Sequence, residues 1–174
     1  MKKRCMTVVS VMILTLALAG CAANSFSANN PGGHNSDEDI KLYTSGDGWS
    51  FEYPKTWDKV EKGFVQETAT GKTIVFDVKE CTEEELEEWL RAEISRKLNA
   101  EEADNELVEP LTNIEKNHLT LYTYTIKSKG DGSEALLKNA VFYDGKRRYE
   151  LRTTVPPVAE EEFNHAIDTF RVDK

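Results

Sequence analysis

Hydrophobic positions beyond residue 40 follow first one period and then another. Trp49, Phe51 and Tyr53 alternate with Ser50 and Glu52, the period of two expected of a strand with one buried face. Pro54 closes the run, because it brings no N–H to a ladder, and a turn carries the chain to Trp57. Phe64–Thr68 and Thr73–Lys79 flank Ala69-Thr70-Gly71-Lys72 and predict a hairpin; Ile74, Phe76 and Val78 share a face of its second arm. The period then lengthens. Leu86, Trp89, Leu90, Ile94 and Leu98 recur at helical spacing on one stripe. Thr82 is a good N-cap, and Glu85 three residues later completes a capping box. Glu83, Glu84 and Glu85 suit the positive start of the helix, and Arg91, Arg96 and Lys97 suit its far end. The pattern predicts a helix ending near Asn99.

Strand signals return after the acidic segment Glu101–Glu106. Leu107–Glu115 reads as extended, with a break at Pro110. His118–Ser128 alternates Thr and Tyr, a composition that fits a pleated, half-buried surface. Lys129-Gly130-Asp131-Gly132 is a turn, Ala135–Tyr143 a strand, Asp144-Gly145 a hairpin turn, and Arg147–Val155 the last arm of the meander before Pro156-Pro157. Phe163, Ala166, Ile167 and Phe170 then mark a final helix. Strands, helix, meander, helix is the order of an α+β domain: mainly antiparallel sheet covered by two helices, one for each face. It occupies residues 40–174, a length that buries a proper core.

The N-terminal end follows a different logic. Lys2, Lys3 and Arg4 precede an apolar run, Val8–Leu18, and then Leu18-Ala19-Gly20-Cys21. A basic start, a short apolar run and small residues before a cut describe a secretory signal peptide, too short to span a bilayer comfortably. The tetrapeptide resembles the lipobox of bacterial lipoproteins. That resemblance implies removal of residues 1–20 and attachment of lipid, palmitate among the possible acyl groups, to Cys21. Two chains anchor stably where one is marginal. Residues 22–39, small and rich in Asn, Ser and Gly, then form a flexible tether with an r.m.s. span of roughly 24 Å. The expected place of the protein is the extracytoplasmic face of a cell membrane, held by lipid on Cys21.

Charge narrows the partners. The chain carries 22 basic and 31 acidic residues. Loss of Lys2, Lys3 and Arg4 with the leader leaves 19 against 31, a net charge of −12. Such a polyanion is a poor partner for nucleic acid or anionic lipid. Cys5 leaves with the leader and Cys21 is acylated, so Cys81 is the remaining thiol. It reads as a small buried hydrophobe or as a thiol for pairing between molecules; with no base or ligand near it in sequence, burial is preferred.

At residues 48–57 the chain resembles the PsbP-like family. Gly48-Trp49-Ser50-Phe51-Glu52-Tyr53-Pro54-Lys55-Thr56-Trp57 matches the family's opening phrase of alternating aromatics, proline and tryptophan. The ending fits too, with Tyr149–Thr154 as a strand and a helix closing in Thr169-Phe170-Arg171-Val172. The resemblance implies an α/β/α sandwich. Plant and cyanobacterial relatives are extrinsic subunits of photosystem II, and a Ran-binding nuclear import factor shares the fold. No docking motif of either can be placed on these residues. What carries over is non-catalytic docking to a larger assembly.

No catalytic constellation is apparent. His34 lies in the tether, His118 at the start of a strand, and His165 on the last helix off its apolar stripe; their spacing matches no zinc motif. Glu83–Glu85, Glu87–Glu88, Glu101–Glu102 and Glu160–Glu162 fit helix starts and exposed faces better than acid–base pairs. Glu101, Glu102, Asp104 and Glu106 offer oxygens for a calcium ion without the ligand order of an EF-hand. Trp49, Phe51, Tyr53 and Trp57 are core or the lining of a ligand groove. Tyr122, Tyr124 and Tyr143 are core or a sheet surface for a partner. The expectation is a membrane-anchored, non-enzymatic binding or accessory module that needs no cofactor and docks to a protein partner. The alternative is an extracytoplasmic small-ligand receptor or enzyme whose site is assembled from scattered residues.

Overall fold

The computed structural model describes residues 39–101, 104–130 and 133–173. Ten strands and two helices are found among them, in the order β1 (Ile40–Thr44), β2 (Trp49–Pro54), β3 (Lys59–Glu61), β4 (Phe64–Gln66), β5 (Thr73–Glu80), α1 (Glu83–Leu98), β6 (Asp104–Lys116), β7 (Leu119–Gly130), β8 (Ser133–Tyr143), β9 (Arg147–Thr153), α2 (Glu160–Thr169) and β10 (Arg171–Val172). A large antiparallel sheet runs β3-β4-β5-β9-β8-β7-β6, and a small one runs β1-β2-β10. The α+β class and the covering of an antiparallel sheet by two helices are as the sequence predicts.

Alternation along the strands sorts side chains into two cores. In β8, Ala140 and Phe142 face one side of the large sheet, and Val141 and Tyr143 face the other. The first side packs with Leu121, Tyr149 and Leu151 against α2 and the small sheet, through Phe163, Ala166, Trp49, Phe51 and Tyr53. Phe142 and Phe170 stack there with centroids 4.1 Å apart. The second side, with Tyr122, Tyr124 and Ile126, packs against Leu86 and Leu90 of α1. Each helix thus covers its own face.

The capping box is in place: Thr82 Oγ1 accepts from Glu85 N–H, and Glu85 Oε2 accepts from Thr82 N–H at 2.8 Å. In the β8–β9 turn, Asp144 Oδ1 accepts from the N–H groups of Lys146 and Arg147 at 2.9 and 2.7 Å. Gly145 follows at φ +92°, a conformation costly for a side chain.

Several boundaries differ from the sequence pattern. β1, β3 and β10 were not predicted; they are two to five residues long, too short for a period to emerge. His118 does not begin a strand. It and Asn117 have φ of +65° and +53°, left-handed values that form the β6–β7 turn. Asp104–Glu106, expected to precede the strand, belong to β6, whose register against β7 shifts between Leu107 and Thr112, around Pro110. Residues 131–132 of the predicted turn lie outside the described residues.

Candidate functional site

The face under α1 carries charge as well as apolar side chains. Strand β9 sends Tyr149 and Leu151 into the α2 core, so Arg148, Glu150 and Arg152 point to the opposite side. Arg148 and Glu150 are only 6% and 5% exposed. The Arg148 guanidinium lies 3.7 Å from the centroid of the Trp89 ring on α1, a desolvated cation–π contact. Its carboxylate neighbours are longer than hydrogen bonds: Asp77 Oδ2 at 3.6 Å and Glu150 Oε2 at 3.7 Å. Arg148 Nη1 and Glu150 Oε1 are both buried without a hydrogen-bond partner. Burial pushes the Glu150 carboxyl up, against the pull of Arg152 and Lys97.

Lys97 brings a third, partly buried charge from the last turn of α1. Its Nζ donates to Asn139 Oδ1 and to the Tyr124 hydroxyl, and lies 3.4 Å from Glu93 Oε1. Burial lowers the Lys97 ammonium, opposed by Glu93 and Glu150. Burial likewise raises the Tyr124 phenol. Glu93 is held low by hydrogen bonds from Arg96, at 2.6 and 2.9 Å. The result is a seam of alternating charges between helix and sheet, buried at Arg148 and Glu150 and open to solvent at Arg96 and Arg152.

Clefts open at both ends of the seam. Beside the start of α1 are two, of about 650 and 360 Å³, both bordered by Glu80, Cys81 and Glu85; Arg148 and Trp89 line the smaller. Beyond the end of α1 is a third, of about 270 Å³, between Arg96, Lys97 and Asn105 on one side and Leu137, Arg152 and Val155 on the other. Its origin is a mismatch of length. α1 has 16 residues, about 24 Å at the helical rise. β8 has 11, about 37 Å at the strand rise. The helix stops short and leaves Leu137 half-buried at the edge of a gap, with Ile126 fully buried beneath.

The residues singled out in the sequence fall in different places. Cys21, His34 and Glu102 lie outside the described residues. Cys81 is half-buried rather than buried: it directly follows β5 and borders both clefts. Burial pushes its thiol up, opposed by the Arg148 charge and backbone N–H. Trp49, Phe51, Tyr53 and Trp57 are at most 5% exposed, so they are core and line no groove. Tyr122, Tyr124 and Tyr143 are buried under α1, and Tyr143 also borders the larger cleft beside the start of that helix. His165 Nε2 lies 2.9 Å from Glu52 Oε2 at the joint of α2 and β2, and His118 is exposed. Glu101, Asp104 and Glu106 are exposed, and among the described residues no three His, Cys, Asp or Glu side chains gather as metal ligands. No described helix is long and apolar enough to cross a membrane. Sequence reasoning missed Arg148, Glu150 and Lys97. Alternating charges on a strand look like a solvent face, and a lysine in the last helical turn looks like dipole pairing.

This arrangement of sheet, helices and small sheet is the PsbP-like fold. Among solved structures, the chain is similar to the solution structure of cyanobacterial PsbP (CyanoP) from Synechocystis sp. PCC 6803. The match has a TM-score of 0.56 and 14% identity over 83% of this chain and 98% of that one. No family model and no curated protein sequence matches the chain.

Proposed function

We propose that the protein is a lipid-anchored, extracytoplasmic accessory module that docks to a protein partner rather than turning over a substrate. The observation that carries the accessory reading is the PsbP-like architecture, an analogy of fold that raises the expectation without naming the partner. The burial of the charges under α1 supports it: Arg148, Glu150 and Lys97 face one another across packed elements, as structural ion networks do. The anchoring rests on Lys2–Cys21, with its basic start, apolar run and Leu18-Ala19-Gly20-Cys21. The tether at 22–39 lets a domain of net charge −12, averse to anionic headgroups, stay near a membrane. Crosslinking on intact cells tests the reading. It should capture one discrete protein partner. Capture of none, together with turnover of a wall or lipid substrate by the purified chain, would refute it.

A further inference from the structure

Strand β6 ends the large sheet, and among the described residues nothing pairs with its outer edge. Such an edge presents N–H and C=O groups that can take up another strand. Its first half is guarded. Pro110 has no N–H, and the register against β7 shifts between Leu107 and Thr112; both features blunt an edge. The second half lacks them: Thr112–Lys116 pair without interruption with Thr123–Leu119.

The turn that follows sets which groups face outwards. Asn117 and His118 have φ of +53° and +65°, a two-residue turn that makes its flanking residues, Lys116 and Leu119, a hydrogen-bonded pair. Alternation from there turns the main-chain groups of Thr112, Ile114 and Lys116 towards β7 and those of Asn113 and Glu115 outwards. The side chains alternate as well. Ile114 lies opposite Leu121 of the α2 core, yet it is 58% exposed. Asn113 and Glu115 project to the other face, towards α1. Asn113 lies opposite Tyr122, and Thr120 Oγ1 donates to Glu115 Oε1 at 2.9 Å. That face is acidic. Burial pushes the Tyr122 phenol up, and the charges of Glu83, Glu87 and Glu115 add to the effect, so carboxylates of α1 and β6 gather near this end of the strand. Arg91 offsets one of them, Glu87. Lys116 is drawn to Asp168 on the opposite face.

We propose that this half of the β6 edge accepts one added antiparallel strand, an extended basic–aliphatic–basic segment of a partner protein. The two basic side chains lie beside Asn113 and Glu115, among the carboxylates, and the aliphatic one covers Ile114. Charge selects this occupant. A second copy would set the same carboxylates against each other. Residues 22–39 of the chain itself hold no Lys or Arg and end in Asp37, Glu38 and Asp39. The inference rests on the docking reading above and deepens it by naming the edge and the chemistry of what it holds.

Titration of the full ¹⁵N-labelled chain, in zwitterionic detergent micelles, with the acetylated and amidated peptide Thr-Thr-Lys-Val-Lys-Thr-Thr tests it. Saturable amide shifts are expected, largest at Asn113 and Glu115. N-methylation of both lysines removes the N–H groups that would face β6 and should weaken binding at least about tenfold, the scale of two hydrogen bonds. N-methylation of the valine, on the peptide's outer edge, should not. Glutamate in place of both lysines should abolish binding. Glu115→Lys should weaken the peptide too, as should Asn113→Pro, which removes an outward N–H at a position where an edge strand tolerates proline. Binding indifferent to lysine N-methylation, shifts that never saturate or spread over the acidic surface, or wild-type affinity in both variants would overturn the inference. So would shifts at Asn113 and Glu115 that grow with chain concentration in the absence of peptide, the mark of a second copy, or contacts from residues 22–39 to that edge in the free chain. Failure here alongside capture of a partner on intact cells would remove the edge and leave the docking reading standing.

Discussion

Asp144 shows how much one side chain settles at the β8–β9 turn. Burial opposes its ionisation, but donors surround it: the Tyr149 hydroxyl at 2.6 Å and the N–H groups of Arg147 and Lys146. Together they hold its carboxyl below the ordinary value. A depressed folded-state pKa stabilises the fold above the unfolded value, and the benefit is lost as pH falls through the folded one. Asp144→Asn should therefore cost about 1–3 kcal/mol at neutral pH, and the gap to wild type in urea denaturation should close in acid. A gap unchanged down to about pH 2 would show that the charge contributes nothing. Arg148 and Glu150 invite a different test, because neither forms a hydrogen bond to the other. If they compensate each other's burial, Arg148→Met and Glu150→Leu will be non-additive, with a coupling of about 0.5–3 kcal/mol. Additive costs in a double-mutant cycle would contradict that pairing.

Element boundaries were legible wherever a local signal existed. Thr82 and Glu85 announced the start of α1, and both halves of the capping box are present. Thr82→Ala should lower stability by about 1 kcal/mol in thermal denaturation followed by circular dichroism; an unchanged midpoint would mean the cap is replaced by solvent. The hairpin at Ala69–Lys72 and the turn at Asp144-Gly145 were legible for the same reason. What α1 covers was not. Its stripe of Leu86, Trp89, Leu90, Ile94 and Leu98 promised an apolar contact, yet only Leu86 and Leu90 are fully buried. Trp89 packs at the margin of that cluster and also lies against the Arg148 guanidinium. A single sequence gives the period of a strand but not which of its two faces is sealed, so nothing in it marks Arg148 and Glu150 as buried. The cleft beyond α1 arises from a difference in length between helix and strand, which depends on which strands lie beneath the helix. The tyrosines of β7 and β8 were ambiguous for the same reason, and burial under α1 resolves them.

On the scale of the whole molecule, the PsbP-like fold was foreshadowed by the aromatic phrase at Gly48–Trp57. Its aromatics proved to be the centre of one core, which explains why that phrase marks the fold and not a binding groove. The proposed working arrangement joins three parts: an acyl anchor, a tether, and an acidic domain whose charges are partly sealed between helix and sheet. The leader would place the domain outside the cytoplasm, and Cys21, the residue just after the cut, would keep it at the membrane. Cys21→Ser should leave unprocessed precursor or release the domain, without loss of fold, since the cores described lie within residues 49–170. Metabolic labelling with radioactive palmitate, followed by mass spectrometry of the N-terminal peptide, tests the anchoring most directly. Label on a chain beginning at Cys21, absent from Cys21→Ser, is the predicted result; a wild-type chain that takes up no fatty acid would contradict it.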